Sequence, residues 1–245
     1  MFNQTTIEKL NMMKLYGMAL AFSEQIESPR YNELSFEERF GMITDKEMGY
    51  RENRKLKNLL NKARLRYPQA CIEDIDFKAE RGVCREQIMT LSRNDWIQRH
   101  QNVMVTGATG TGKTYISCAL GNSSCRAGMS VQYFRLPQLL EELTIARRDG
   151  SYGKMLIRVA RIKLLIIDDW GFSPLADKER RILLDILEDR YDISSTLISS
   201  QFPVEKWHDN IGDPTVADAI CDRLIHNAHR VKLTGESMRK KYSDL

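Results

Sequence analysis

The chain has 245 residues, of which 42% are hydrophobic and 29% charged, which is typical of a soluble globular protein and excludes a disordered one. Its apolar runs are far shorter than the roughly 18 to 20 residues of a membrane-spanning helix, and its N-terminus lacks the pattern of a secretory signal. The net charge is a mild +4 and the five cysteines are irregularly spaced, so we expect free thiols, a cytoplasmic location and no membrane partner.

The N-terminal quarter of the chain is predicted to be helical. Apolar residues recur near a 3.6-residue period from Thr6 to Glu27, and Pro29 ends that helix because proline cannot continue the hydrogen-bond ladder. Ser35 and Glu38 have the spacing of a capping box, which predicts a second helix that runs from there to about Arg66.

The rhythm of the sequence changes after residue 101, because apolar runs of strand length then alternate with helical stretches. This alternation predicts an α/β fold with a five-stranded parallel sheet flanked by helices. The expected strands are Asn102–Thr106, Ser130–Phe134, Leu164–Asp168, Ser195–Ser200 and His229–Leu233. We therefore expect a helical domain at 1–66, a linker and leading helix at 67–101, and a nucleotide-binding domain at 102–245.

The first of these strands runs directly into GATGTGKT, which matches G-x-x-x-x-G-K-[ST] at every fixed position and opens a predicted helix. Its glycines allow backbone N–H groups to converge on phosphate oxygens, and the helix N-terminus adds partial positive charge. Lys113 can reach the β- and γ-phosphates of a nucleotide, and the Thr114 hydroxyl can bind Mg²⁺. The predicted nucleotide-binding residues here are Gly107, Ala108, Thr109, Gly110, Thr111, Gly112, Lys113, Thr114 and Tyr115.

Polar side chains lie at the ends of two later strands and on one later helix. Asp168 and Asp169 end an apolar strand, where one carboxylate can hold Mg²⁺ and the next can orient or deprotonate water, although such a pair can also cap a helix. Gln201 would lie near the γ-phosphate if its strand lay between the other two, or could simply be a polar strand end. Arg223 could serve a neighbouring subunit's nucleotide or form a structural salt bridge.

Two basic sets are candidates for contact with DNA phosphates, or for ordinary solvated helix faces. The first set is Arg51, Arg54, Lys55, Lys57, Lys62, Arg64 and Arg66. The second set contains Arg147, Arg148 and Lys154. Neither set includes the side chains of a recognised base-reading motif, so we expect binding to duplex DNA that is largely independent of sequence and sensitive to salt.

These motifs in this order resemble the AAA+ ATPases, and more narrowly their IstB/DnaC-like branch, and the resemblance covers nearly the whole chain. The phrases that carry it are CIEDID (71–76), NDWI (94–97), GATGTGKT, LLIIDDWG (164–171), ILEDRY (186–191), SSQFPVEKWHD (199–209), IGDPTVADAICDRLIHNAHR (211–230) and GESMRKK (235–241). The last three are more specific than the glycine-rich loop, which many unrelated enzymes share.

The resemblance to IstB proteins of insertion sequences implies ATP and Mg²⁺ as cofactors, ATP-dependent self-assembly on DNA, and stimulation of a partner transposase. It maps Asp168 and Asp169 to the Walker B pair, Gln201 to sensor 1, Arg223 to the arginine finger and Arg239 to the neighbourhood of sensor 2. The alternative is a DnaC-type loader of a replicative helicase, which shares the ATP-binding core.

Two departures from the wider group change these expectations. Many relatives have glutamate where this chain has Asp169, and because aspartate is one methylene shorter we expect slow hydrolysis. The chain ends soon after the last predicted strand, so we expect the helical lid to be largely absent, which puts the sensor role of Arg239 in question.

Overall fold

The computed structural model describes residues 2–77 and 81–238. The chain divides into two compact units, Met1–Asn58 and Leu59–Leu245. Its five cysteines are all free. Within the described residues, no helix is both long enough and apolar enough to cross a membrane.

The first unit is helical, as the sequence predicts. Its helices are α1 (Phe2–Met12), α2 (Tyr16–Glu27), a short 3₁₀ turn (Pro29–Tyr31) and α3 (Phe36–Ala63), which extends past the division between the units. The capping box at the start of α3 is present, because the Ser35 N–H donates to the Glu38 carboxylate at 2.8 Å and the Glu38 N–H donates to the Ser35 hydroxyl at 3.2 Å.

The sequence predicts a single helix from Thr6 to Glu27. This prediction is wrong, because the segment forms two helices, α1 and α2, in the structure. Lys14 has a left-handed backbone with φ of +60° and lies at this break. The start of α2 is instead held by α3: the buried Glu47 carboxylate accepts the N–H groups of Gly17 at 2.7 Å and Met18 at 3.1 Å. A Cβ on Gly17 would lie 2.6 Å from the Cα of Glu47, so only glycine allows the two helices to approach this closely.

The second unit is an α/β domain built on a five-stranded parallel sheet, which confirms the predicted fold. Its strands are β1 (Asn102–Gly107), β2 (Val131–Arg135), β3 (Leu164–Trp170), β4 (Ser195–Ser200) and β5 (Ala228–Leu233). Its helices are α4 (Arg85–Ser92), α5 (Asp95–Gln98), α6 (Lys113–Arg126), α7 (Leu136–Arg148), α8 (Tyr152–Ala160), α9 (Asp177–Arg190), α10 (Trp207–Ile211) and α11 (Pro214–Ile225). The strand order is β2-β3-β4-β1-β5, so β4 lies between β1 and β3 as the hypothesis for Gln201 requires.

The core of this unit follows from strands that are buried on both faces. Leu164, Leu165, Ile166 and Ile167 of β3 are fully buried, as expected for a central strand of a parallel sheet. Because all five strands are parallel, their carboxyl ends meet at one edge of the sheet, where open α/β folds bind ligands. The glycine-rich loop, the Asp168–Asp169 pair and Gln201 therefore lie at the same edge.

Candidate nucleotide-binding site

The glycine-rich loop connects β1 to α6 and curls over the carboxyl end of the sheet. Gly110 and Gly112 have φ values of +84° and +97°, in the left-handed region that favours glycine. The Lys113 ammonium donates to the carbonyl oxygens of Gly107 and Ala108, each at 2.8 Å. The loop thus holds the lysine side chain over its own concave face, where it can reach a bound phosphate.

Asp168 is the polar centre of the site and is only 2% exposed. One carboxylate oxygen, Oδ2, accepts the hydroxyls of Thr114 at 2.8 Å and Tyr133 at 2.7 Å. The other oxygen, Oδ1, accepts the N–H of Asp169 at 3.0 Å. A hydroxyl and a carboxylate side by side are the oxygen ligands that Mg²⁺ prefers, so Thr114 and Asp168 fit this ion.

Asp169 lies at an irregularity of β3, where the pairing with β4 shifts register between Ile167 and Trp170. Its backbone is left-handed, with φ of +59°, which turns its side chain away from the regular alternation of the strand. The Nε of Arg135, the last residue of β2, donates to its carboxylate at 2.6 Å. In this structure, therefore, the candidate residue for water activation is held in an ion pair.

Gln201 follows β4 and faces the glycine-rich loop. Its side-chain oxygen accepts the hydroxyl of Thr109 at 2.8 Å. Lys113, Thr114, Asp168 and Gln201 all line one cavity of about 710 Å³, a size typical of small-molecule sites. The structure thus brings the three sequence motifs together around a single space.

Sequence reasoning missed several residues of this cavity. Arg81 is only 5% exposed, and its guanidinium donates to the carbonyl oxygens of Thr111 at 3.3 Å and Asp76 at 2.8 Å. Arg66, which the sequence assigns to the first DNA-binding set, lines the same cavity wall. The remaining unforeseen lining residues are Tyr67, Asp74, Ile75, Asp76, Ser199 and Met238.

Arg223 does not line this cavity and lies elsewhere on the domain. Its guanidinium donates to the Glu188 carboxylate at 2.6 Å and to the Ala219 carbonyl at 2.8 Å. This is the salt bridge that the sequence leaves open as an alternative. Arg239 lies outside the described residues, but the N–H of the preceding Met238 donates to the Gly110 carbonyl at 2.9 Å.

The two basic sets are exposed, with some members engaged in the protein's own contacts. Arg51 of the first set pairs with Glu47 at 2.7 Å. Arg147 of the second set pairs with Asp185 at 3.1 Å and lies 4.3 Å from the centre of the Tyr152 ring. The other exposed cations of the two sets are Arg54, Lys55, Lys57, Lys62, Arg64, Arg66, Arg148 and Lys154.

Comparison with known proteins gives concordant matches along the chain. The family model described as IstB-like ATP binding protein matches residues 8–245. A Sinorhizobium fredii protein named as an insertion sequence ATP-binding protein is 48% identical over 240 residues, which are 98% of each chain. A Pseudomonas fluorescens protein named as an ATP-binding protein of insertion sequence IS1162 is 42% identical over 203 residues, 83% of this chain and 88% of that one.

A solved structure of the DnaC helicase loader has a similar fold, with a TM-score of 0.58 at 20% sequence identity. The similarity covers 69% of this chain and 98% of that one. At this level of identity the likeness shows a shared fold and nothing of function.

Proposed function

The chain belongs to the family of IstB-like ATP-binding proteins, and we propose that it is a slow ATPase that assembles on duplex DNA and assists a partner transposase. In this proposal ATP binds between protomers and favours the assembled, DNA-bound state, because its γ-phosphate adds contacts across the interface. Hydrolysis then releases the assembly.

The observation that carries the ATPase proposal is the contact between Thr114 and Asp168 at 2.8 Å, beside Lys113 and Gln201 in one cavity. Lys113 would bind the β- and γ-phosphates, and Thr114 and Asp168 would hold Mg²⁺. The bound ion would supply charge neutralisation for the phosphates. The neighbouring carboxylate of Asp169 would accept the proton of the attacking water, and the amide of Gln201 would orient that water.

Before it can act on water, Asp169 has to leave Arg135, because its Oδ2 accepts the guanidinium at 2.6 Å in this structure. The ion pair is half exposed on the arginine side, so its net strength is modest and a rearrangement at this edge can break it. The need for that rearrangement agrees with slow hydrolysis by an unassembled chain.

The DNA-binding part of the proposal rests on the exposed cations of the two basic sets and on the insertion-sequence names of the relatives. Arg148 and Lys154 project from neighbouring helices of the second unit without a recorded ion pair among the described residues. Arginine and lysine bind backbone phosphates without reading bases, so affinity should fall steeply with salt.

A helicase loader of the DnaC type remains the second candidate because its fold is similar. The fold likeness does not separate the two functions, since both use the same ATP-binding core. The match that spans residues 8–245, and relatives named for insertion sequences, favour the transposition helper.

The proposal is tested by measuring particle mass with and without ATP and duplex DNA, using light scattering after size separation. We expect large assemblies only when both are present, and we expect Lys113→Ala to remain small under every condition because it cannot hold the phosphates. Assembly of the wild-type chain that ignores ATP would contradict the proposal.

The arginine-finger role of Arg223 has a matched control in its partner Glu188. We expect Arg223→Ala to reduce hydrolysis by about 1,000-fold or more and leave nucleotide binding intact, because arginine fingers contribute at about this level. Glu188→Gln breaks the same salt bridge but keeps the arginine, so it should hydrolyse ATP at a rate near that of the wild type. Equal losses in the two variants would assign Arg223 a structural role instead.

A further inference from the structure

The side chain of Tyr133, on β2, donates a hydrogen bond to the carboxylate of Asp168, on the neighbouring strand β3. The phenol oxygen lies 2.7 Å from Asp168 Oδ2, and the residue is only 8% exposed. Thr114 donates to the same oxygen at 2.8 Å. One carboxylate oxygen thus receives a hydroxyl from the nucleotide loop and a hydroxyl from the protein core behind it.

Arg66 lies near Tyr133, and the two side chains line the same small cavity. A guanidinium can only donate hydrogen bonds, so Arg66 can interact with the Tyr133 oxygen only as a donor. The phenol carries a single proton, and because the carboxylate oxygen of Asp168 can only accept, that proton is directed to Asp168.

The segment that carries Arg66 is fastened to α6, the helix that follows the nucleotide loop. Leu65 is 6% exposed, and its side chain lies against the α6 residue Gly121. The amide of Asn122 donates to the Pro68 carbonyl at 3.0 Å, and the ring of Tyr67 lies 6.1 Å from that of Tyr115. These contacts hold Arg66 at the nucleotide cavity.

We propose that Tyr133 is a positioning residue for Asp168, holding its carboxylate in place to bind Mg²⁺ with the nucleotide, and that Arg66 orients the Tyr133 hydroxyl. The inference rests on the proposed function, since it assigns Asp168 to the metal ion. It follows the general rule that metal-binding carboxylates are oriented by hydrogen bonds from residues behind them. Neither Tyr133 nor Arg66 touches the reacting atoms in this proposal.

The test is the Mg²⁺ dependence of nucleotide binding in Tyr133→Phe, measured with a fluorescent non-hydrolysable ATP analogue. Phenylalanine keeps the buried ring and removes only the hydroxyl. We expect its affinity in EDTA to stay within about twofold of the wild type, because Lys113 and the loop amides are unchanged. Mg²⁺ is expected to increase nucleotide affinity, and the Mg²⁺ concentration that gives half of this increase should rise about 10-fold in the variant. This is the lower end of the range for residues that orient metal ligands.

Arg66→Gln provides a second variant, and Arg64→Gln is its matched control. Both replace an exposed arginine of the same basic segment, so any general effect of lost positive charge appears in both. We expect Arg66→Gln to raise the Mg²⁺ requirement in the same direction as Tyr133→Phe, by less, and Arg64→Gln to leave it unchanged. Thermal unfolding without ligand checks that the variants are folded.

A Tyr133→Phe protein with a wild-type Mg²⁺ requirement would overturn the positioning role, and equal effects of the two arginine variants would overturn the role of Arg66. A wild-type chain that binds no nucleotide would instead contradict the proposed function, and the inference with it. The two failures are therefore distinct in a single set of titrations.

Discussion

At the residue scale, the backbone of Asp169 gives a physical reason for aspartate at a position where glutamate is the more familiar residue. Its φ of +59° lies in the left-handed region, which aspartate and asparagine tolerate better than most residues. Their short polar side chains can form local hydrogen bonds there, whereas glutamate gains less from doing so. The shorter acid is thus matched to this conformation, and the slower chemistry expected of it is a consequence.

Asp169→Asn isolates the carboxylate charge, because asparagine has nearly the same shape and is equally suited to a positive φ. We expect ATP hydrolysis to fall by about 100-fold or more, since general-base residues contribute about 10² to 10⁴ in rate. Nucleotide affinity should be unchanged, because Lys113 and Asp168 remain. Single-turnover hydrolysis and equilibrium binding measure the two effects, and a variant that hydrolyses ATP at the wild-type rate would remove Asp169 from the mechanism.

At the element scale, the strands and the nucleotide loop could be predicted from the sequence because each carries its own local signal. Leu164 to Ile167 is an apolar run, and the glycine-rich loop has fixed spacing. The break at Lys14 has no such signal, since neither glycine nor proline marks it and a contact with α3 holds the next helix. It is set by tertiary packing.

The sequence also does not predict that Arg66, Tyr133 and Arg135 lie at the nucleotide site. Arg66 belongs to a charge run by composition, but the chain leaves the helix at Ala63 and Leu65 is buried, which carries Arg66 to the cavity. Arg135 and Tyr133 lie near the Asp168–Asp169 pair only because β2 pairs with β3, with Arg135 in register with Asp168. Strand order and register depend on the whole domain, so short motifs do not reveal them.

The contact between α2 and α3 predicts a dependence on pH that belongs to this pair of helices. Burial alone would raise the pKa of Glu47, but hydrogen bonds from Arg51 and from the N–H groups of Met18 and Gly17 outweigh it and lower the pKa below its usual 4.5. A carboxyl with a lowered folded-state pKa stabilises the fold above its unfolded pKa. That stabilisation is lost as pH falls through the lowered value.

We therefore expect Glu47→Gln to weaken the start of α2 by about 1 kcal/mol at neutral pH, and to have little effect once the pH has fallen below the lowered pKa of Glu47. Hydrogen exchange of the Gly17 and Met18 amides measures this directly, with about fivefold faster exchange expected in the variant at pH 7. Glu24, half exposed and paired with Lys46 on the surface, offers Glu24→Gln as the control. A difference between Glu47→Gln and the wild type that stayed constant from neutral to strongly acidic pH would contradict the assignment.

At the scale of the whole molecule, the second unit places its nucleotide cavity at one end of the sheet and a buried cation near the other. Arg190, at the end of α9, is 1% exposed. Its guanidinium donates to the carbonyl oxygens of Val159, Ala160, Ile162 and Ser195 and to the hydroxyl of Thr196. Burial lowers the pKa of Arg190 to about 9, so it remains charged at neutral pH. Arg190 therefore connects the C-terminal end of α9 to the end of α8 and to the start of β4.

This separation predicts a variant that loses stability without losing its ligand. Arg190→Met keeps much of the side-chain volume but leaves several buried carbonyl groups without a donor, so we expect the free energy of unfolding to fall by about 3 kcal/mol or more. Arg181→Met, an exposed position on the same helix, should change it by no more than about 0.5 kcal/mol. Urea unfolding measures the free energy of unfolding of both variants. Nucleotide affinity, measured at low temperature, tests whether the folded variant still binds its ligand. The hydrogen bonds of Arg190 lie at the amino end of β4, away from the nucleotide cavity, so the nucleotide affinity of Arg190→Met should match that of the wild type. A loss of affinity together with the loss of stability would mean that the two ends of the sheet are coupled.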